Sequence, residues 1–240
     1  MPIKLSTPRT FDYVPRLDER NLAHRISADP YGSGLAMRSR YWVPGSVVTN
    51  QGSEGACVGH GVVNEAMASP VRVIPGRRWT TLLHRDVEAN NVAATVYSRA
   101  KEIDEWEGVD YDGTSVRAGM LVGRERGWWE GFRWALNMGE LRAALEEGPV
   151  VIGVEWREGM YDTWIDGQVR VTGSTVGWHC LLVTGYAPSW NGWGRPYYRW
   201  RNSWGPSYGR NGSAYIHADD LNSILFKAGG EAAVAIGRKL

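Results

Sequence analysis

Near residue 148 the apolar positions stop recurring at three-and-four spacing and begin to alternate. Before that point, CVGHGVVNEAMAS places Cys57, Val58, Gly61, Val62, Glu65 and Ala66 at helical spacing and stops ahead of Pro70. Gly59 and Gly61 each cost about 1 kcal/mol against alanine in an exposed helix, so tertiary packing must hold this one. Residues 92–107 (VAATVYSRAKEIDEWE) and 114–126 (TSVRAGMLVGRER) predict further helices, and ELRAALEE at 140–147 a short one ended by Gly148-Pro149. Thereafter VVIGVEW (150–156), GQVRVT (167–172), WHCLLVTGY (178–186), PYYRWRNS (196–203) and SAYIHA (213–218) read as strands. Helices first and strands last predict an α+β organisation, a helical half facing a mostly antiparallel half. Residues 1–45 carry scattered Pro, Arg and Asp without periodicity and read as an extended arm laid over a domain at 46–240. In that domain the helical half is about 46–147 and the β half about 148–225.

Composition narrows the class. The chain has 240 residues, 43% hydrophobic and 22% charged, enough for one large domain or two lobes sharing a cleft. A net charge of +1 supplies no global field to recruit nucleic acid or an anionic membrane, and neither partner is expected. No apolar run approaches the roughly 20 residues of a spanning helix. The N-terminal stretch lacks an apolar signal core, so a cytoplasmic protein is expected. There are two cysteines, Cys57 and Cys180, and no CxxC pair; no metal or other cofactor is expected, and a reducing compartment argues against a disulfide. The 13 tryptophans and 30 glycines suggest aromatic-lined clefts and tight turns.

The chemistry concentrates in Gln51-Gly52-Ser53-Glu54-Gly55-Ala56-Cys57. A thiol at the first turn of a helix is biased toward thiolate by the backbone N–H groups and the macrodipole. Glycines before it let backbone approach a reacting carbonyl, and an amide six residues earlier can return across the turn to donate to an oxyanion. Gly177-Trp178-His179-Cys180 sets one histidine on an apolar strand, and Arg201-Asn202-Ser203-Trp204-Gly205 supplies an amide followed by an indole. The order is Cys, His, Asn, with separations of 179 − 57 = 122 and 202 − 57 = 145 residues.

These residues resemble the papain-like cysteine peptidases, through QGSEGAC, GPVVIGV (148–154), WHCLLVTGY and RNSWGPSYGRNGSAYI (201–216). The resemblance implies a two-lobed fold with the active-site cleft between the halves. It also implies hydrolysis of peptide bonds in a polypeptide substrate, with Cys57 as nucleophile, His179 as base and acid, Asn202 as orienter of the imidazole, Gln51 as oxyanion donor and Trp204 as a shield over the Asn–His bond. Two positions depart from the family signature: Glu54 stands for its first cysteine and Val58 for its aromatic residue. The compact form suggests a bacterial or bacteriophage source. With only 56 residues ahead of Cys57, the arm is expected to pack permanently on the domain and leave the enzyme active as made. Gly113 and Thr114, before a helix, match the family's substrate-clamping backbone edge, although Gly113-Thr114-Ser115 also reads as an ordinary helix start. Cys180 reads as packing. Gly127-Trp128-Trp129 lines a pocket or forms a shielding cluster, Asp104, Asp110 and Asp112 read as a solvated loop, and His24, His60, His84 and His217 form no ligand pattern. Two rival readings stand beside the peptidase: the same acyl chemistry on peptidoglycan or a side-chain amide, and a silent papain-fold module for binding or assembly.

Overall fold

The computed structural model describes residues 2–3, 10–11, 13–15, 18–26, 39–70, 85–104, 113–189 and 194–238. In chain order the elements are β1 (Pro2–Ile3), β2 (Arg40–Tyr41), α1 (Cys57–Met67), α2 (Arg85–Ile103), α3 (Val116–Glu125), β3 (Trp129–Trp134), α4 (Met138–Glu147), β4 (Val150–Arg157), β5 (Thr163–Trp164), β6 (Thr175–Ala187), β7 (Tyr197–Arg201), β8 (Ser213–His217), α5 (Ala218–Ile224) and β9 (Glu231–Arg238). A seven-stranded antiparallel sheet runs β3-β9-β4-β6-β7-β8, with β2 added to β6. The expected α+β segregation is observed.

Helix α1 is the centre of the molecule, and every one of its residues is buried. Its glycines are packing devices. A Cβ on Gly59 would lie 2.1 Å from the Ala93 carbonyl oxygen of α2, and one on Gly61 would lie 2.8 Å from the Cys180 sulfur of β6. The low helix propensity of the segment is therefore the condition for α1 to touch a helix on one side and the sheet on the other. A buried ion pair between Glu65 and Arg238 fastens α1 to the end of β9.

Two hydrophobic cores flank the sheet. One holds Val58, Val62, Ala93, Met120, Trp129, Val151 and Leu182 under the helices; the other holds Leu141, Leu145, Ile152, Leu181, Trp156, Trp200 and Ile216. Adjacent residues of β4 and β6 feed opposite cores, which is why both strands read as continuous apolar runs.

The periodicity missed some elements and overcalled one. Strand β3, helix α5 and strand β9 were not marked by alternation or spacing. Residues 167–172 are not a strand: Gln168 makes a single bridge to Tyr215, and Gly167 and Gly173 take φ of +86° and +81°, turning the chain out of the ladder at both ends. The 92–107 helix starts earlier, at Arg85, and its residues 105–107 lie outside the described set.

Candidate active site

Cys57 opens α1, fully buried, behind the turn from Gln51 to Ala56. The N-cap, Ala56, offers no side-chain hydrogen bond, and no acidic residue stands in the first turn. Nothing of the helix's own side chains therefore competes for the positive end of its dipole. One turn further on, Gly61 touches Cys180, the residue after His179, so the start of α1 abuts the part of β6 that carries the histidine.

His179 Nε2 and Asn202 Oδ1 lie 2.7 Å apart, both residues fully buried. Ser203 N–H donates to the same Oδ1 at 2.7 Å, which identifies that atom as the acceptor and places the histidine proton on Nε2. Gln51 joins the same unit. Its backbone N–H donates to Ser203 O at 2.9 Å, and the Ser203 hydroxyl donates to Gln51 Oε1 at 2.6 Å. Its Nε2 group is thereby aimed away from Ser203 and donates to Glu54 O at 2.8 Å and Thr10 O at 3.2 Å.

Aromatic rings enclose the imidazole. Trp204 lies 4.9 Å from it, Trp156 5.0 Å and Phe11 5.7 Å, centroid to centroid. Tyr161 stacks on Trp204 at 5.7 Å. Water is kept from the Asn202–His179 bond on these sides, which strengthens it. Trp204 stands where the resemblance put a shield. Trp156 was missed, because its role depends on the pairing of β4 with β6, where Val154 faces His179 and Trp156 faces Gly177.

The arm reaches this site. Thr10 accepts from Gln51 Nε2, Phe11 packs against His179, Trp156 and Trp204, and Val14 N–H donates to Thr114 O at 3.1 Å. Tyr13, 3% exposed, fills a slot over Gly153, where any Cβ would collide with its ring at 2.1 Å. The register sets Cys180 and Glu231 on either side of Gly153, and Tyr13 lies against Trp178. The described residues of the arm thus pack on the domain, with Phe11 against His179 and Tyr13 over Gly153.

Glu231 is the second residue that sequence reasoning missed. Its Oε2 accepts from Val116 N–H at 3.1 Å, at the start of α3, and burial pushes its carboxyl up to about 8. Burial, and then Glu231, raise the Tyr13 phenol well above its usual range. His60, one turn beyond Cys57, is pushed down to about 3 by burial and then by His179, so it is neutral at pH 7. The two groups act oppositely on stability. Between about 4.5 and 8 the folded state holds a proton on Glu231 that the unfolded state has lost, so stability falls as pH rises. Between about 3 and 6.5 the unfolded state binds a proton that His60 refuses, so stability falls as pH drops. Urea midpoints of Glu231→Gln and wild type, compared from pH 5 to 8.5, isolate the first: the wild type loses on the order of a few kcal/mol relative to the variant across that range. Parallel curves would remove Glu231 as a buried titrating group.

Other candidates sort by contact. Ser115 is the N-cap of α3, accepting from Ala118 N–H, while Gly113 and Thr114 are buried and the Thr114 backbone pairs with the arm. Asp104 is not a solvated loop residue: it accepts from Thr114 Oγ1 at 2.8 Å and Ser115 N–H at 3.1 Å, holding that backbone in place. Asp110, Asp112 and His84 lie outside the described residues. Trp128 and Trp129 are core, with Trp129 Nε1 donating to Met120 O at 3.0 Å. Cys180 is buried beside Gly61, its thiol pushed well up by burial, and neither cysteine is in a disulfide. Among the described residues no group of three His, Cys, Asp or Glu is placed to hold a metal ion.

The model of the papain family cysteine protease matches residues 130–228, from β3 through α5. The fold is that of solved papain-like proteases. Xylellain, a cysteine protease from Xylella fastidiosa, superposes with a TM-score of 0.65 at 15% identity, covering 98% of this chain and 100% of its own. Digestive procathepsin L 3 of Tenebrio molitor larval midgut gives 0.57 at 16% identity over 94% of this chain and 83% of its own, and recombinant stem bromelain precursor 0.52 at 12% over 99% and 78%. No curated protein sequence matches.

Proposed function

We propose that this chain, papain-like in fold, is a cysteine peptidase that hydrolyses peptide bonds through Cys57, His179 and Asn202, with Gln51 as oxyanion donor. The observation that carries the reading is the 2.7 Å Asn202–His179 bond, sealed under Trp204 and tied through Ser203 to Gln51. Each part has a chemical task. Asn202 fixes the ring, leaving His179 Nδ1 to exchange a proton with the thiol. The Cys57 thiolate attacks the carbonyl carbon, and the negative oxygen that forms is met by Gln51 Nε2 and the Cys57 backbone N–H at the start of α1. His179 then protonates the departing amine, the C–N bond breaks, and an acyl-thioester remains. Water, deprotonated by His179, attacks the thioester and returns the free thiol.

A polypeptide substrate is favoured over other acyl donors because the site already holds one. The arm supplies a carbonyl to Gln51, pairs its backbone with Thr114 and sets a side chain in the slot beside Glu231. A substrate entering the cleft takes over these partners as the arm leaves.

Alkylation by iodoacetamide between pH 4 and 9, read separately at each cysteine by peptide mass spectrometry, tests the ion pair. After the arm is displaced, Cys57 is expected to react rapidly below pH 6 in wild type and to lose that reactivity in His179→Ala, while Cys180 stays inert. Labelling of Cys57 that rises only near pH 8.5, as for an ordinary thiol, would leave the silent binding module as the better reading.

A further inference from the structure

On β7, Arg199 and Arg201 alternate with Tyr198 and Trp200, so both arginines lie on the face opposite the core. The register sets Arg199 opposite Gly185 on one side and Tyr215 on the other, and Gly185 in turn faces Tyr41 of β2. Its guanidinium lies 4.6 Å from the Tyr41 ring and 5.9 Å from that of Tyr215. Arg201, 4% exposed, faces Ser213. Arg210 joins them from the turn before β8, its stem beside Gly167 and Tyr215.

Three cations thus share one patch, and among the described residues none of them is paired with a carboxylate. Arg199 Nη2 donates to the Ser213 hydroxyl at 3.2 Å and Arg201 Nη1 to Asn211 O at 2.5 Å, while Nε of both residues is buried with no hydrogen-bond partner. Burial lowers both guanidinium pKa values, Arg201 to about 10; repulsion from Arg199 lowers Arg201 further, while on Arg199 the Tyr215 phenol acts upward and Arg210 downward. Buried charge without a counter-charge is costly, and an unsatisfied Nε–H adds to the cost. The Tyr41 and Tyr215 rings flank the Arg199 guanidinium, a fork whose donors match a pair of oxygens.

We propose that Arg199, Arg201 and Arg210 form a binding site for a tetrahedral oxyanion, inorganic phosphate or the phosphoryl group of a small phosphate monoester. A phosphoryl group presents several oxygens and close to two negative charges near neutral pH, so it can meet donors from more than one guanidinium at once; a carboxylate meets one fork. The site is separate from the Cys57 chemistry and stands or falls without it.

Thermal melts and titration calorimetry on the full chain test it, with sodium phosphate, O-phosphoserine, and sodium chloride at matched ionic strength. Wild type is expected to show a saturable rise in Tm with at least one phosphoryl probe and none with chloride. A response to inorganic phosphate alone identifies a free-anion site, and a response to O-phosphoserine alone an ester site. Arg210→Gln, at an exposed position, and Arg199→Gln are each expected to weaken binding at least tenfold. Phosphate no better than chloride, or undiminished binding in both variants, overturns the proposal.

Discussion

Alanine at His179 is expected to lower kcat/KM on a peptide amide by about 10³-fold or more, and alanine at Cys57 by a similar factor. The two residues serve one step, so the double variant is expected to be no worse than either single one; two independent contributions would multiply instead. Asn202→Ala is expected to fall between them and wild type, because it loosens the ring without removing it, and opening the Trp204 side to water weakens what remains. Rates on one fluorogenic peptide, with circular dichroism to confirm folding, check all four proteins. A Cys57→Ala variant that retains more than a few per cent of wild-type turnover would sink the nucleophile assignment.

The second large effect is a gain. Replacing Phe11 and Tyr13 together by alanine removes a half-buried ring and a buried one from the site. Each contributes about 1.5–3 kcal/mol of apolar burial as an upper range, so the pair favours the closed arm by about 10²- to 10⁴-fold. The initial rate is expected to rise by up to that factor, saturating once the arm is mostly open. A synthetic peptide covering residues 8–16 is expected to inhibit the double variant competitively. An unchanged rate, with no inhibition by the peptide, would mean that the arm is no obstacle to substrate.

What was legible in the sequence was what local chemistry writes locally. Gln51 and Cys57 share one turn, and the glycine-rich approach to a helix start announces itself in seven letters. His179 and Asn202 are legible by type and order, and the structure joins His179, Asn202, Ser203 and Gln51 in one chain of hydrogen bonds. Glu231, Trp156 and the arm residues were not legible, because each acquires its place only through pairing. Glu231 reaches the slot because β9 inserts between β3 and β4, and no spacing in the sequence announces that order. Residues 167–172 failed for the converse reason: an alternating pattern between two left-handed glycines found no full partner strand.

The seam between Asn50-Gln51 and Ser203-Trp204-Gly205 has one more consequence. An antiparallel bridge joins Asn50 to Trp204, Gly205 N–H donates to Thr49 O at 3.0 Å, and Gln51 is bound to Ser203 by both backbone and side chain. Gln51 precedes helix α1 and Asn202 follows strand β7, and the same few bonds that align these two residues also stitch the helical half to the sheet. In amide-exchange terms, the N–H groups of Gln51 and Gly205 are expected to exchange with the slowest class in the molecule, opening only with the fold itself.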